Sequence, residues 1–292
     1  MASIETRELM YFVTAAEELN ITRAAERLGI AQPPLSRAIR RLERRMGVRL
    51  LERTSRGVTL TPAGEVLLAD GRKALDAMEA AVRRAQRASH PGARRVLAMK
   101  PGGDGGLLRD ILAAYESEPD AIPVEITSGM GERATLVRDG RADVALLHTV
   151  HDRSGLDVEE LLVEDKVAVL PAGHRLAGRT CIRLSDLDGE TRPRWPGKTD
   201  DDATGPEVRD IAEVMQLIAL GRLVAVVPDS ARRLLRDDLV CVPVLDAAPT
   251  TLALAWPEHS SSRPLAAFVR TAVKVANQPV PQPGVPSTLV RR

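Results

Sequence analysis

The first 46 residues contain three segments in which apolar residues recur at helical spacing. Residues that end helices separate the three segments. Gly29 follows the second repeat, as a residue that tolerates positive φ does after a helix. Pro33 and Pro34 fall in the first turn of the third repeat, where missing amide protons cost nothing. Asn20 or Thr22 can cap the second helix. This order predicts two helices, a tight turn and a third helix: residues 5–18, residues 23–28 and a helix that begins near Gln32.

The third helix has two chemically different sides when its residues are placed at intervals of about 100°. One side is apolar and faces a small core: Leu35, Ala38, Ile39, Leu42 and Met46. The opposite side carries hydrogen-bonding residues and one proline: Gln32, Pro33, Ser36, Arg37, Arg40 and Arg44. Such a side fits the major groove of duplex DNA, where Gln pairs with adenine and Arg pairs with guanine.

Positive charge is concentrated around this helix. Between Arg37 and Arg56 there are eight arginines and two acids, although the whole chain has 41 Lys and Arg against 40 Asp and Glu. Residues 1–90 hold 16 Lys and Arg against 11 Asp and Glu, so the remainder of the chain is net acidic. The basic patch suits a polyanion. Taken alone, the arginine cluster is equally compatible with a solvated helix face.

A short hairpin is predicted directly after the third helix. Residues 48–52 and 58–60 can pair around a polar turn, with Arg53 and Arg56 at its tip. Such a wing lies along phosphates or in a minor groove. The first part of the chain therefore predicts a winged helix-turn-helix that binds DNA.

A long amphipathic helix follows the hairpin, with Thr61 as its cap and Pro62 in its first turn. Apolar or small residues then alternate at spacings of three and four, as in a coiled-coil seam: Leu68, Gly71, Leu75, Met78, Val82 and Ala85. The seam lasts only about two and a half heptads, so periodicity alone favours an amphipathic helix of a single chain. Residues 89–93 contain Pro91 and Gly92 and predict a hinge.

Strand and helix patterns alternate through residues 94–276. Two successive βαβαβ series are predicted, each with parallel strands and crossover helices, and two series imply two lobes. The chain returns to the first lobe near Thr251–Trp256 and ends in a helix over Pro264–Ala276. The proline-rich residues 277–292 predict a disordered tail.

Two loops at the carboxyl ends of first-lobe strands are candidate ligand sites. Residues 100–106, including Gly102 and Gly103, run into a helix N-terminus whose amides could hold a carboxylate, helped by Lys100. Asp104 could instead cap that helix, where it would repel an anion. Residues 128–131, which begin with Ser128 and Gly129, form the other wall.

The composition narrows the functions that are open to the chain. Its two cysteines, Cys181 and Cys241, exclude a disulfide framework and a four-thiolate zinc site and fit a reducing, cytoplasmic compartment. No apolar stretch approaches the roughly 20 residues of a membrane-spanning helix. No nucleophile elbow or P-loop motif occurs. We therefore expect no membrane segment, no metal site, no cofactor and no catalytic residues.

Several motifs, in their order along the chain, resemble the LysR-type transcriptional regulator family. The N-terminal motifs are FVTAAEELNITRAAERL over residues 12–28, QPPLSRAIRRLE over 32–43, GVRLLERT over 47–54 and LTPAG over 60–64. The phrases DGRADVAL at residues 139–146 and PAGHRL at 171–176 resemble the family's effector domain in less detail. Several spaced motifs in the right order are far more specific than one.

The resemblance implies an α/β protein overall, built from four parts. An N-terminal all-α winged helix-turn-helix DNA-binding domain spans residues 1–61, and a linker helix that pairs two chains spans 62–90. A two-lobed, periplasmic-binding-protein-like effector domain spans 91–276, and the tail spans 277–292. The lobes are lobe I, about 94–163 with 251–276, and lobe II, about 164–250. Pairing through the linker helix implies a homodimer or a homotetramer.

The resemblance also implies roles for individual residues. The residues expected to contact DNA are Gln32, Pro33, Ser36 and Arg37 on the recognition helix and Arg53 on the wing, with Thr22 and Arg23 near phosphates. The helix face and the hairpin tip add Arg40 and Arg56 to this set, and Ser128 is expected to contact the effector. Ala31 departs from the family, which usually has a capping serine there. We therefore expect a looser helix entry, and we expect Ala31→Ser to stabilise the domain by about 1 kcal/mol.

Together these features predict a transcriptional regulator, and not an enzyme, that binds duplex DNA sequence-specifically and responds to a small-molecule effector. Two other functions stay open. A sequence-indifferent architectural protein could use the same basic face without effector control, with an affinity that depends steeply on salt. An enzyme could turn over the ligand of the two-lobed domain, and recovery of that ligand unchanged would argue against this possibility.

Overall fold

A computed structural model describes residues 4–54, 57–89, 94–128, 132–149, 152–196, 203–258 and 260–278, except for the side chains of Arg53 and Ala88. The chain divides into two compact units, with the boundary between Gln86 and Arg87. Several predicted features lie outside the described residues: the hairpin tip with Arg56, residues 90–93 of the hinge, the loop position Gly129, and the tail from residue 279.

The first part of the chain folds into helices and one hairpin, in the order α1 (Thr6–Glu18), α2 (Ile21–Arg27), α3 (Gln32–Met46), β1 (Leu51–Thr54), β2 (Gly57–Leu60) and α4 (Pro62–Ala88). Helix α2 begins two residues earlier than predicted. The side chain of Asn20 accepts hydrogen bonds from the amides of Thr22, at 2.9 Å, and Arg23, at 3.1 Å. Asn20 is therefore the cap of α2, and Thr22 is not.

The core of this unit confirms the apolar side predicted for α3. Leu35 and Leu42 are fully buried, and they pack with Phe12 of α1 and Leu50 next to the hairpin. Ala24 of α2 is also fully buried, and its small side chain leaves room for a close helix crossing. The buried apolar surface fixes the rotation of α3 about its own axis, so the opposite side of this helix faces solvent.

The coiled-coil seam predicted for α4 is only partly correct. Leu68 and Leu75 are partly buried and pack against the core of the N-terminal unit. A side chain at Gly71 would crowd Leu9 and Val13, so α4 lies close to α1 at this glycine. Burial inside one chain removes these positions from a seam between two chains. The residues that remain exposed on α4 include Val66, Ala74, Ala77, Met78, Ala81, Val82 and Ala85.

The C-terminal unit contains two sheets with helices packed around them. Its elements are β3 (Arg95–Met99), α5 (Leu108–Glu116), β4 (Val124–Ser128), α6 (Arg133–Arg138), β5 (Val144–His148), β6 (Leu156–Glu164), β7 (Lys166–Pro171), a 3-10 helix (Leu184–Leu187), α7 (Ile211–Ala219), β8 (Ala225–Pro228), a second 3-10 helix (Asp229–Leu234), β9 (Leu239–Pro243), β10 (Thr250–Pro257) and α8 (Arg263–Ala276). Lobe I holds the sheet β4-β3-β5-β10-β6, and lobe II holds the sheet β8-β7-β9.

Lobe I confirms the predicted parallel pairing of β3 with β4 and β5, and the predicted return of the chain as β10. Strand β6 was not predicted; it forms an edge of this sheet and pairs antiparallel with β10. It carries four acids in nine residues, a polar composition that hides a strand from hydrophobic periodicity. Charged residues are common on edge strands because they prevent further pairing.

The prediction of an all-parallel sheet in lobe II is wrong. Strand β7 is the central strand and pairs antiparallel with both β8 and β9. The chain enters lobe II through one residue, Asp165, between β6 and β7, so the first strand of lobe II in the sequence is also its central strand. The helical segment between β8 and β9 still connects two parallel strands, which lie on either side of β7.

Within the described part of the chain, every helix is too short or too polar to span a membrane.

Candidate nucleic-acid interface and ligand cleft

The solvent side of α3 presents a row of cationic side chains. Arg37, Arg40 and Arg44 are exposed, and Gln32 and Ser36 on the same side are half-buried. An open groove of about 860 Å³ runs along this helix and the hairpin, with Ser36, Arg40 and Arg44 in its lining. Its lining holds three arginines (Arg40, Arg44 and Arg49) against two acids (Glu43 and Glu52), so the groove combines hydrogen-bond donors with a net positive charge.

The hairpin is held in place by a carboxylate that the sequence did not single out. Oε1 of Glu43 accepts hydrogen bonds from the amides of Leu50, at 2.9 Å, and Leu51, at 3.2 Å. The amide of Val58 donates to the carbonyl oxygen of Leu19 at 3.0 Å. These hydrogen bonds attach the start of the hairpin to α3 and its second strand to the end of α1. The position of the hairpin therefore depends on that of α3.

Two arginines near this face have partners inside the unit. Arg45 forms an ion pair with Glu8, whose side chain is only 6% exposed. Arg23 donates to Glu18 through Nη2 at 2.8 Å, and this hydrogen bond lowers the pKa of Glu18. Arg45 thus belongs to the internal structure of the unit, although it counts in the arginine cluster. The side chain of Arg23 is 64% exposed, so it is still accessible to a phosphate.

The entry of α3 contradicts the expectation for Ala31→Ser. Ala31 is the N-cap and makes no side-chain capping bond, as expected. A capping hydroxyl accepts a hydrogen bond from the second or third helical amide, and these positions are Pro33 and Pro34, which have no amide proton. A serine at position 31 would therefore find no amide donor, and a side-chain capping bond cannot form in this sequence.

We therefore expect Ala31→Ser alone to change the free energy of unfolding by less than about 0.5 kcal/mol. In a Pro34→Ala background the same change supplies both partners of the cap and should stabilise by about 1 kcal/mol. Thermal unfolding of the four proteins of this double-mutant cycle measures the difference. Equal stabilisation by serine in both backgrounds would contradict the assignment.

The second candidate site is a cavity of about 110 Å³ between the two lobes of the C-terminal unit. Lobe I lines it with residues that follow β3 and with others at the ends of β5, α6 and β10. Lobe II lines it with the start of β7, the end of β8 and the segment around Trp195. The apolar part of the wall includes Trp195, Ile211, Val226, Val227 and Leu234.

Three cationic side chains line this cavity: Lys100 and Arg133 from lobe I and Lys166 from lobe II. Among the described lining residues there is no carboxylate. Burial lowers the pKa of the Arg133 guanidinium. A positively charged side chain that is removed from water gains most from an opposite charge placed beside it.

A buried carboxylate joins the two lobes beside the cavity. Oε2 of Glu164, at the end of β6, accepts a hydrogen bond from the amide of Ser230 in lobe II at 3.0 Å. Oε1 of Glu164 lies 3.9 Å from Nε2 of His148, which lines the cavity. The side chains of Glu164 and His148 are only 5% and 8% exposed. Glu164 thus connects β6 of lobe I to the start of the second 3-10 helix in lobe II.

Two of the four glycines in residues 100–106 are explained by contact between the lobes. A side chain at Gly102 would collide with Leu234, and one at Gly106 would collide with Arg233. Both glycines have positive φ, and Arg233 donates a hydrogen bond to the carbonyl oxygen of Gly106 at 3.0 Å. The absence of side chains lets the second 3-10 helix dock on this loop.

The structure places the predicted effector-binding residues in different surroundings. Lys100 and Gly102 line the cavity, and the alkyl chain of Lys100 occupies the space above Gly103. Oδ2 of Asp104 accepts a long hydrogen bond, at 3.4 Å, from the amide of Leu108, the first residue of α5. The N-cap of α5 is Leu107 and has no side-chain capping bond, so Asp104 lies near the helix start but is not its cap. Ser128 is exposed at the end of β4 and is not among the described lining residues.

The other polar residues of the cavity were not predicted: Arg133, His148, Lys166, Ser230 and Thr250. One signal could have found His148, since it ends a first-lobe strand whose carboxyl end faces the cleft. Lys166 has no such signal, because its position depends on the unexpected antiparallel course of β7. Arg133 begins a short helix after residues that lie outside the described part of the chain.

Exposed arginines along one helix of a compact helical unit are an arrangement that helix-turn-helix proteins use to read DNA. A cleft between two lobes is a common place for a small-molecule site. The profile of the "Bacterial regulatory helix-turn-helix protein, lysR family" matches residues 6–65, and that of the "LysR substrate binding domain" matches residues 88–277. The chain belongs to the LysR family of transcriptional regulators.

Individual relatives agree with this assignment. The "Uncharacterized HTH-type transcriptional regulator YnfL" of Escherichia coli (strain K12) is 32% identical over 285 residues, which cover 90% of this chain and 96% of the relative. A "Probable hydrogen peroxide-inducible genes activator" of Mycobacterium xenopi is 36% identical over 174 residues, covering 59% of this chain and 92% of that protein. The crystal structure of full-length BenM is 28% identical and matches with a TM-score of 0.53 over 93% of this chain and 96% of its own.

These relatives are named as regulators, and the chain is a regulator and not an enzyme.

Proposed function

We propose that this protein controls transcription by reading a specific duplex sequence with α3 and by changing its assembly when a small molecule enters the lobe I–lobe II cleft. The observation that carries the proposal is the exposed row Arg37, Arg40 and Arg44 on a helix whose rotation is fixed by buried Leu35 and Leu42. The domain limits that we assign are the ranges 1–61, 62–90 and 91–276. Because its target is DNA, we assign it to the cytoplasm.

The proposed DNA contacts fall into two groups. Gln32, Pro33, Ser36, Arg37 and Arg40 lie on the recognition helix, where Gln and Arg select bases through the major groove. Thr22, Arg23, Arg53 and Arg56 contact phosphates or a minor groove. Phosphate contacts fix the register and supply salt-dependent affinity, whereas base contacts supply the sequence preference.

Two chains are proposed to pair through α4. The exposed residues Ala74, Ala77, Met78, Ala81, Val82 and Ala85 follow helical spacing and form one apolar stripe. Met78 and Val82 are 48% and 56% exposed within one chain. Burial of this stripe against a second copy would set two recognition helices at a fixed spacing on DNA, in a homodimer or a homotetramer.

The effector is proposed to act through the two lobes. Lys100, Gly102, Gly103, Asp104, Ser128 and Gly129 are the effector-binding residues expected from the sequence, and the cavity supports Lys100 and Gly102 most directly. A ligand held by both lobes binds one lobe arrangement better than another. This difference in affinity is what shifts the assembly between two states.

Selection from a random duplex pool tests the proposal. Purified full-length protein is mixed with the pool at stated salt, and the bound fragments are sequenced. We expect enrichment of an interrupted inverted repeat whose half-sites are separated by whole helical turns. Salt-dependent recovery without enrichment would instead support an architectural protein.

Peroxide sensing is a second candidate function, because the relative from M. xenopi is named for it. Peroxide reacts with a thiolate and not with a thiol. Burial raises the pKa of the Cys241 thiol to about 11, so this cysteine is protonated at neutral pH. The chemistry of Cys241 therefore opposes a sensing role for it.

We expect Cys241 to be alkylated about 300-fold more slowly at pH 7.5 than a free cysteine of pKa about 8.5, since its thiolate fraction is smaller by that factor. The rate should rise tenfold per pH unit up to the raised pKa, as long as the protein stays folded. Iodoacetamide labelling of Cys181→Ser, followed by mass spectrometry, measures Cys241 alone. A rate like that of free cysteine would refute the raised pKa.

A further inference from the structure

We infer that Glu18 competes with DNA phosphate for Arg23, holding this guanidinium in the free protein and releasing it when a duplex binds. The inference rests on the proposed function, in which Arg23 contacts phosphates. Glu18 then lowers the affinity for every duplex sequence by a similar factor, because phosphate contacts carry no sequence information. It limits the part of the binding that base sequence does not control.

A chain of ion pairs joins three helices at the end of α1. Oε2 of Glu18 accepts hydrogen bonds from Nε of Arg23, at 3.1 Å, and from Nη2 of the same guanidinium, at 2.8 Å. Oε1 of Glu18 accepts from Nη1 of Arg27 at 3.3 Å. Glu17 accepts from Arg27 on α2 and from Arg72 on α4, each at 2.8 Å. Arginines therefore bind both oxygens of both carboxylates.

The position of these two acids is unfavourable for α1 itself. Glu17 and Glu18 are the last two residues of this helix, and its last turn contains no basic residue. The helix dipole places partial negative charge at this end, so it repels both carboxylates. Arginines from α2 and α4 offset the repulsion. Since local rules of this kind are broken mainly at functional sites, the two acids are candidates for a functional role.

Glu18 lies beside the helix that is proposed to meet the DNA backbone. In a helix-turn-helix the first of the two helices crosses the backbone, and Arg23 is in the first turn of that helix, α2. The side chain of Arg23 is 64% exposed, whereas that of Glu18 is 21% exposed. A phosphate that approaches α2 therefore meets a guanidinium whose charge is already offset by a carboxylate.

The hydrogen bonds of Arg23 to Glu18 use donors that a phosphate also requires. Arginine binds carboxylates and phosphates in the same way, through two neighbouring N–H groups. Nε and Nη2 of Arg23 are both engaged by Glu18. Arg23 lowers the pKa of Glu18, so this carboxylate is ionised at neutral pH. A phosphate must displace Glu18 from these donors or bind beside its negative charge, and either event weakens the contact.

Glu18→Gln tests the competition in the full-length protein. Binding to a selected duplex and to its scrambled version is titrated over a range of salt concentrations. We expect the affinity for both duplexes to rise about two- to fivefold, which corresponds to the strength of an exposed ion pair. The slope of log binding constant against log salt should become steeper by about 0.9, the amount of one phosphate contact. Unchanged or weaker binding would overturn the inference.

Thermal unfolding of Glu18→Gln provides a readout that separates competition from a structural role. The variant loses an ion pair between α1 and α2, so its melting temperature should stay the same or fall slightly. Competition therefore predicts tighter DNA binding without greater stability. If Glu18 only supported the fold, the loss of stability would come with weaker binding to all duplexes, and this result would contradict the competition.

Two further variants assign the effect to Arg23. In an Arg23→Gln background Glu18 no longer holds that guanidinium, so Glu18→Gln should change the affinity by less than about twofold. Glu26→Gln removes an exposed acid from α2 and is the control for net charge; it should also change the affinity by less than about twofold. The inference fails if Glu18→Gln has the same effect with and without Arg23, or if Glu26→Gln strengthens binding equally.

The duplex selection separates this inference from the proposed function. A protein that enriches a DNA site but gains no affinity in Glu18→Gln keeps the regulatory function, and Glu18 is then not a competitor. A protein that enriches no sequence but binds every duplex more tightly in Glu18→Gln loses the regulatory function and keeps the competition.

Discussion

Replacing Arg37 by alanine is expected to weaken binding to the preferred duplex by about 1 to 3 kcal/mol and to remove the preference at one base position. Arg37 is exposed on α3, two residues from buried Leu35 and next to buried Ala38. The core holds α3 in one rotation, so the side chain of Arg37 leaves the helix on the side opposite the core. Affinity for unrelated duplexes should fall much less, because a base contact is lost.

Arg53→Ala is the comparison that makes this result specific. This variant is expected to weaken binding to all duplex sequences more evenly, and to lower the salt dependence of the binding constant by about the amount of one phosphate contact. Arg179→Ala, an exposed position in lobe II, matches the change in net charge far from α3 in sequence. Binding to the selected duplex and to point-mutated duplexes is measured for each variant. Equal losses on every sequence for both Arg37→Ala and Arg53→Ala would refute separate reading and positioning roles.

Replacing Glu43 by alanine is expected to lower the free energy of unfolding of the N-terminal unit by about 2 to 4 kcal/mol. One carboxylate oxygen accepts two backbone amides, those of Leu50 and Leu51, at the start of the hairpin. Each buried amide left without an acceptor costs about 1 to 3 kcal/mol, and these two are only partly buried, so the lower part of that range applies to each. Since domains are stable by only about 5 to 15 kcal/mol, this loss is large.

Glu26→Ala is the matched control for Glu43→Ala, because Glu26 is an exposed acid on α2 of the same unit. Thermal and urea unfolding of both variants measure the difference in stability. The Glu43 variant should also bind all duplexes more weakly, because the hairpin loses its attachment to α3. A stability change as small as that of Glu26→Ala would show that the Glu43 bonds contribute little.

The DNA-binding unit could be predicted because the spacing of residues within single segments determines most of its structure. The spacing of Leu35, Ala38, Ile39 and Leu42 fixes which side of α3 is buried, and the remaining side must then carry Arg37 and its neighbours. The contacts that were missed join segments that are separate in the sequence. Neither the Glu43 attachment nor the packing of Gly71 against α1 follows from periodicity in one segment.

The ligand cleft was less predictable because it is formed by segments far apart in sequence. The loop with Gly102 and Gly106 was recognised, but its glycines serve the docking of Arg233 and Leu234 as well as the cavity. Lys166 reaches the cavity only because β7 runs antiparallel to its neighbours. Strand direction in lobe II depends on the course of the chain through Asp165, which the alternation of strand and helix does not determine.

The central claim is that α3 reads sequence, and the affinity ratio between a selected duplex and its scrambled version tests it most directly. Both duplexes are titrated with the full-length protein over a range of salt concentrations. We predict a ratio of about a thousandfold or more at physiological salt, because specific and non-specific binding differ by at least this factor in sequence-specific proteins. A ratio near one at every salt concentration would contradict the account.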